Sequence, residues 1–214
     1  MLLVTGVMGG LLEAARSGQG QVVDVAMVDG TAQLMWMMQG FQQIGVWNAD
    51  ERESNLLDGA PHFYDTYECA DGKYVAIGAI EPQFYAELRA RAGVYEPQLQ
   101  AQHDAAQWPE LKQKLGEVLK TKTRDEWDAL MAGSDACFAP VLTMVEATTY
   151  SANTERSVYT DVEGFTHAAP APRLQVPSQP QLVLPRQAVA ALAVCQQGMH
   201  LSAPPPTMGG SNCH

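Results

Sequence analysis

Positively charged residues are scarce in this sequence. Its 214 residues include 13 Lys and Arg against 24 Asp and Glu, which gives a formal net charge of −11 at neutral pH. A nucleic-acid-binding surface requires a basic stripe or patch, and no stretch of the chain has that composition. The sequence therefore argues against nucleic acid as a partner.

Metal-type cysteine spacing, long apolar runs and signal-peptide features are also absent. No apolar run reaches the roughly 20 residues of a membrane-spanning helix, and the first residues lack a basic region and a cleavage site. We therefore expect no metal site, no membrane partner and a reduced, cytoplasmic compartment. The four widely spaced cysteines are Cys69, Cys137, Cys195 and Cys213.

The first part of the chain has the pattern of helix, strand and helix. Residues 1–16 are largely apolar and are followed by Gly18, and glycine commonly ends a helix. Residues 21–27 have the pattern of a short buried strand, and residues 28–46 carry apolar side chains at helical spacing. This order predicts an α/β layer with some parallel pairing, so residues 1–59 are assigned to a large α/β domain. A methionine run is expected in its core: Met35, Met37 and Met38.

A β-hairpin followed by helices is predicted for residues 60–132, as a small α+β domain. Asp71-Gly72 separates two runs rich in aromatic and β-branched residues, 63–68 and 73–80, which is a strong hairpin signal. Three helices should follow, with the first starting at Pro82 and ending at Gly93. The signals for the other two are Pro109 for one, and Thr123 with Glu126 for the other.

The remaining chain is predicted to close the large domain. A strand at 134–141 should return residues 133–178 to the first layer, and Thr143 with Glu146 resembles the capping box of a further helix. Residues 179–214 are rich in Pro, Gln and Ala, a composition typical of a disordered tail. The predicted fold class is thus α/β, with a small α+β domain that contains a β-hairpin.

An acidic residue lies in the loop just before the predicted hairpin. Asp58 has Asn55, Gly59 and His62 as neighbours, so amide and imidazole groups stand near a carboxylate. A loop held by a rigid element suits proton-transfer chemistry. The same sequence is also ordinary turn chemistry, because Asn and Asp side chains bond their own backbone and Gly adopts positive φ. From the residues alone, both interpretations stay open.

A long motif run surrounds this aspartate. Its segments are Asn55-Leu-Leu-Asp58-Gly59, Phe63-Tyr-Asp-Thr-Tyr67, Ala70-Asp-Gly72 and Gly78-Ala-Ile-Glu-Pro-Gln-Phe-Tyr85. The run resembles the α-methylacyl-CoA racemase family, within the family III CoA-transferase superfamily. One local departure is Ala60-Pro61, where many relatives have Gly-Ala. The resemblance implies the carboxy-terminal part of that fold, an acyl-CoA substrate, an interlocked homodimer and no cofactor.

The resemblance also implies the reaction and the roles of individual residues. The reaction is inversion at the carbon α to the thioester of 2-methylacyl-CoA, with Asp58 serving one face and Asn55 holding its carboxylate. Glu146 would orient the histidine of a Gly-His-Asp motif, which serves the other face, although Glu146 is equally well explained as the cap of Thr143. None of the five histidines of this chain stands in that motif. The implied substrate-binding residues are Gly59, Ala60, His62 and Tyr64.

Two other functions remain open at this point. A family III CoA-transferase would use Asp58 as a nucleophile on the thioester carbonyl. A truncated, non-catalytic subunit would instead associate with a full-length partner. For His62, a packing role is favoured over that of a replacement acid, because it follows Asp58 closely and would lie on the same side of the substrate.

Overall fold

Helices dominate the structure, a computed structural model that describes residues 1–95 and 97–173. These residues form two compact units that divide between Thr143 and Met144. The predicted tail at 179–214 lies outside the described residues. The first unit contains α1 Leu2–Ser17, α2 Met27–Gln43, β1 Tyr64–Glu68, β2 Tyr74–Gly78, α3 Pro82–Ala92, α4 Trp108–Leu119, α5 Arg124–Met131 and β3 Phe138–Pro140, with short 3₁₀ turns at Pro97–Gln100 and Ala105–Gln107. The second unit contains α6 Met144–Thr149, α7 Ser151–Glu155, β4 Tyr159–Val162 and β5 Phe165–Ala168.

The segment between α1 and α2 is not the strand that was predicted for residues 21–27. It pairs with no strand among the described residues, and α2 begins at Met27. The segment packs instead on α1, where one methyl group of Val23 lies 2.7 Å from the place of a Cβ on Gly6 and its other methyl group lies 3.3 Å from that of a Cβ on Gly10. The small residues of α1 therefore accommodate this segment.

Apolar side chains of α1 and α2 remain exposed. Neither helix has a buried residue, and Leu34 and Trp36 are 84% and 68% exposed. The prediction that the methionine run packs in a core is therefore wrong for this chain, because Met35 and Met37 lie on the surface. An apolar helix pattern indicates which face tends to be covered, but not what covers it.

The predicted β-hairpin is confirmed. β1 and β2 pair antiparallel from Tyr64 opposite Gly78 to Glu68 opposite Tyr74. Gly72 has φ +74°, a left-handed conformation that costs glycine little. The Asp71 carboxylate accepts hydrogen bonds from the backbone N–H groups of Lys73 and Arg124, which ties the turn to α5.

The third strand does not return to a separate layer. β3 pairs antiparallel with β2, with Ile77 opposite Phe138 and Val75 opposite Pro140. Only residues 132–137 separate α5 from β3, so the chain reaches the free edge of the nearby hairpin. The strand expected at 134–141 therefore extends the hairpin sheet, and the described strand pairs are all antiparallel rather than parallel.

Helices α3, α4 and α5 enclose the core beside this sheet, and their predicted ends are confirmed. Pro82 occupies the first turn of α3 and Gly93 ends it with φ +71°, while Thr123 and Glu126 form a complete capping box on α5. The largest buried cluster comes from the sheet and all three helices: Phe63, Tyr67, Val75, Ile77, Tyr85, Leu88, Leu115, Leu119, Trp127 and Met131.

The second unit consists of two short helices and a β-hairpin. Strands β4 and β5 pair antiparallel, and the turn residues Glu163 and Gly164 have φ +55° and +84°, as a type I′ turn requires. The domain boundaries predicted at residues 59, 132 and 178 stay predictions. The placement of β3 differs from the prediction, because this strand joins the hairpin sheet instead of the first layer. None of the helices in the described ranges is long and apolar enough to cross a membrane.

Candidate active site

The carboxylate of Asp58 is held by neighbouring N–H groups. Its Oδ1 accepts a hydrogen bond of 2.8 Å from the backbone N–H of Asn55. Its Oδ2 accepts one of 2.7 Å from the Asn55 side-chain amide and a longer one of 3.4 Å from the backbone of Ser54. The hydrogen bond predicted between Asn55 and Asp58 is therefore present.

Asn55 is buried and links Asp58 to an earlier part of the loop. Its Oδ1 accepts a hydrogen bond of 2.7 Å from the backbone N–H of Asn48, and its Nδ2 donates one of 2.9 Å to the carbonyl of the same residue. With this bidentate contact, the Asn55 amide fixes both Asn48 and the Asp58 carboxylate. The loop that joins α2 to β1 contains no helix or strand, and this network gives it a defined conformation at Asp58.

These contacts set the protonation state of Asp58. Partial burial raises the pKa of Asp58, but the donors of Asn55, Ser54 and Ala60 lower it by more, so the pKa lies below its usual value. At neutral pH the group is a carboxylate with a fixed orientation. It can accept a proton or attack a carbonyl, and it is not poised to donate a proton.

Asp58 borders two cavities of the first unit. The larger, of about 630 Å³, lies between the residues that follow Asp58 and the sheet. A smaller one, of about 310 Å³, lies on the side of Asp58 that faces Trp47 and Arg52. The larger cavity has the size of a small-molecule site. It is lined by Leu57, Asp58, Gly59, Tyr64, Asp65, Thr66, Ala76, Ile77, Gly78, Cys137, Phe138 and Ala139.

The predicted substrate-binding residues Gly59, Ala60 and Tyr64 lie around this carboxylate. Gly59 has φ +97°, a conformation that favours glycine, and the nearby backbone N–H of Ala60 helps to lower the pKa of Asp58. Tyr64 lines the larger cavity from β1. Their contact with a substrate stays a prediction.

His62 is the exception among these residues. Its side chain is fully buried, and its Nε2 lies 2.8 Å from the Tyr85 hydroxyl. This buried imidazole does not line the cavity, so the structure gives the predicted substrate contact of His62 no support, and the contact stays a prediction. The packing role favoured from the sequence is the one observed, since the ring makes edge contacts with Phe63 and Tyr85.

Glu146 lies in a different unit from Asp58. It belongs to the first turn of α6 in the second unit. Its predicted role of orienting a catalytic histidine stays a prediction. In the described part of the chain, no three His, Cys, Asp or Glu side chains are placed to hold a metal ion.

Lys112 contacts this region but was not identified from the sequence. Its ammonium donates a hydrogen bond of 2.8 Å to the carbonyl of Gly59 and forms ion pairs with Glu53 and Asp65. Lys112 lies on α4, 53 residues after Gly59. A contact between residues so far apart leaves no local pattern, so no signal in this one sequence could have revealed it.

Comparison with known proteins identifies the family of the chain. The sequence pattern of CoA-transferase family III matches residues 1–192. The chain belongs to this family. This match confirms the family resemblance that the motif run from Asn55 to Tyr85 indicated.

The alignments with individual relatives cover most of this chain but only about half of each relative's own length. Alpha-methylacyl-CoA racemase of Mus musculus is 43% identical over 81% of this chain and 46% of its own length. That of Homo sapiens is 41% identical over the same shares. A CAIB/BAIF family protein of Brucella suis, 19% identical, matches the fold with a TM-score of 0.62 over 89% of this chain and 52% of its own. The predicted partial family III fold is thus confirmed, and the chain spans about half the length of the curated racemases.

We predict that the free energy of unfolding of this family III chain depends on pH, because His62 is buried. Burial lowers the pKa of His62 to about 4, and the charges of Arg89 and His103 contribute in the same direction, whereas the ordinary value is 6.5. Unfolding exposes an imidazole that binds a proton more readily, so the stabilising contribution is complete above pH 6.5 and is lost as the pH falls from 6.5 towards 4. We expect a loss of up to about 3 kcal/mol in the free energy of unfolding.

Urea unfolding followed by tryptophan fluorescence between pH 7.5 and 4.5 measures this effect. A His62→Gln variant retains a group able to bond the Tyr85 hydroxyl but does not titrate, so its unfolding free energy should fall less steeply over this range. Equal slopes for the parent chain and the variant would refute the assignment to His62.

Proposed function

We propose that this chain supplies one face of the active site of a racemase that acts on 2-methylacyl-CoA thioesters. The observation that carries the proposal is the Asp58 carboxylate, held ionised by Asn55 at the wall of a cavity of about 630 Å³. The identity to the mouse and human racemases over 81% of the chain supports this substrate class.

In the proposed reaction, Asp58 accepts the proton from the carbon next to the thioester carbonyl. The electron pair of the C–H bond forms an enolate, whose oxygen requires hydrogen-bond donors. Protonation on the opposite face then gives the inverted product and needs a second acid, which the family resemblance assigns to a Gly-His-Asp histidine outside these 214 residues. The reaction moves a proton and no net electrons, so it requires no redox cofactor.

The residues around Asp58 support the carboxylate in this proposal. Asn55 keeps it ionised and oriented, the nearby backbone N–H of Ala60 favours its charged form, and Gly59 takes the left-handed conformation that follows it. Tyr64 provides an aromatic wall for the acyl group. Glu146 is proposed to orient the second acid.

The apolar faces of α1 and α2 suit the interlocked homodimer that the family resemblance implies. Leucine, methionine and tryptophan side chains along both helices are exposed in the single chain, and a large apolar surface is typical of an interaction site. We propose that a second copy covers them. The cytoplasmic location expected from the sequence stays a prediction.

Exchange of the substrate α-proton tests the proposed function. The purified chain is incubated with (2S)-2-methylacyl-CoA in deuterated water, alone and with the separately expressed amino-terminal half of the mouse racemase, and the α-proton signal is followed by NMR. We expect deuterium to replace this proton, with inversion once the second half is added. No exchange in either mixture would contradict the proposal.

The same samples test the transferase alternative. A transferase would form an anhydride between Asp58 and the acyl group and release CoA. Hydroxylamine converts such an anhydride into a hydroxamate that mass spectrometry locates on the peptide. A hydroxamate at Asp58 without α-proton exchange would replace the racemase by the transferase.

A further inference from the structure

Lys112 joins three points of the chain on both sides of Asp58. Its ammonium contacts the Glu53 carboxylate at 3.8 Å, the Gly59 carbonyl at 2.8 Å and the Asp65 carboxylate. A lysine ammonium has three N–H donors, which match these three acceptors in number. The residues from 53 to 65, termed here the Asp58 segment, are thereby fixed to α4 on either side of the catalytic candidate.

The helix that carries Lys112 provides a rigid support. Leu111, Leu115 and Leu119 of α4 are each 1% exposed and pack in the cores of the first unit. Lys112 itself is partly exposed, with 30% of its side chain accessible. A functional group on a well-packed helix is positioned more accurately than one on a free loop.

The contact with Gly59 affects the groups nearest to the carboxylate. Gly59 directly follows Asp58, and its carbonyl accepts the hydrogen bond from Lys112, so the backbone is fixed one residue away from the carboxylate. Lys112 therefore influences the orientation of Asp58 without touching it.

We propose that Lys112 is a positioning residue, which fixes the Gly59 carbonyl and both ends of the Asp58 segment to α4 and thereby orients the Asp58 carboxylate at the wall of the larger cavity. The proposal rests on the proposed racemase function for its catalytic consequence. Its structural consequence, a fixed Asp58 segment, is independent of that function.

The chain offers a matched control on the same helix. Lys114 pairs with Glu110 and Gln98, both at 2.6 Å, and forms no hydrogen bond or ion pair with the Asp58 segment in the described part of the chain. Lys112→Met and Lys114→Met remove the same charge and the same group from α4. Exposed and half-exposed ion pairs contribute little to stability, so both variants are expected to fold.

Two measurements test the proposal. In α-proton exchange with 2-methylacyl-CoA, Lys112→Met should be slower by about 10²-fold, the effect of a misplaced catalytic group, whereas Lys112→Arg and Lys114→Met should stay within about 10-fold of the parent chain. In amide hydrogen exchange by NMR, the N–H of Asn55, which donates to the Asp58 carboxylate at 2.8 Å, should lose protection in Lys112→Met alone.

The outcomes separate the positioning role from the function. If the parent chain lacks α-proton exchange but Lys112→Met exposes the Asn55 N–H, the racemase function fails and the positioning role stands. If Lys112→Met leaves both measurements unchanged, or if Lys114→Met changes them equally, the positioning role is refuted.

Discussion

An Asp58→Asn variant is expected to exchange the α-proton of 2-methylacyl-CoA about 10²- to 10⁴-fold more slowly than the parent chain, the usual contribution of a general base. The amide that replaces the carboxylate has no basic oxygen that could accept the proton. Exchange in deuterated water, followed by NMR with the two-part mixture described above, measures the loss.

The substitution also disturbs the hydrogen bonds around residue 58. Both carboxylate oxygens accept bonds from Asn55, and the asparagine side chain of the variant would present an NH₂ group to one of these donors. A buried donor without an acceptor costs about 1–3 kcal/mol. The unfolding free energy therefore has to be measured beside the exchange rate.

Asp50→Asn is the matched control for this prediction. Asp50 is exposed in the same loop, and its backbone N–H bonds to Asn48 without contact to Asp58. We expect the control to exchange the α-proton at the parent rate. Near-parent exchange in Asp58→Asn would remove this residue from the mechanism, whatever its effect on stability.

Local features of this fold could be predicted from the sequence because their causes are local. Gly72 adopts the positive φ of the hairpin turn, Pro82 and Gly93 begin and end α3, and Thr123 caps α5 with Glu126. Each of these depends on a backbone conformation or a side-chain bond within a few residues. The bond between Asn55 and Asp58 has the same short range.

Features that depend on distant contacts could not be predicted. The pairing of β3 with β2 joins Phe138 to Ile77, and the ammonium of Lys112 reaches Gly59 across 53 residues. The burial of His62 depends on the packing of Tyr85 from α3. A pattern in one sequence contains the chemistry of these residues but not the identity of their partners.

The segment at 21–27 shows a different limit. Its short apolar run fits a buried strand, yet a strand also requires a partner to bond its backbone. The described residues offer α1 as a packing surface at that place, with Val23 against Gly6. The pattern therefore predicted wrongly that this segment would join a sheet as a strand.

Phe63→Ala is expected to cause the largest loss of stability among the variants considered, about 3–5 kcal/mol. Phe63 is fully buried. Its ring contacts Tyr85, His103 and Trp108 at centroid distances of 6.0, 5.5 and 6.1 Å. Removal of the ring leaves a cavity in the core where the Asp58 segment meets β1. The Phe63 carbonyl also accepts a hydrogen bond from the backbone N–H of Ala79, which the substitution leaves in place. For a chain of this size, each kcal/mol lowers the Tm by about 2–4 °C.

Thermal unfolding followed by circular dichroism measures this effect, with Tyr95→Ala as the control. Tyr95 is 71% exposed, so its truncation should change the unfolding free energy by less than about 0.5 kcal/mol. Below its Tm, Phe63→Ala should also exchange the substrate α-proton more slowly, because the segment that carries Asp58 loses its fixed end in the core. A variant with lowered stability but parent exchange would show that Asn55 and Lys112 are sufficient to hold Asp58. A variant as stable as Tyr95→Ala would contradict the central position of Phe63 in the core.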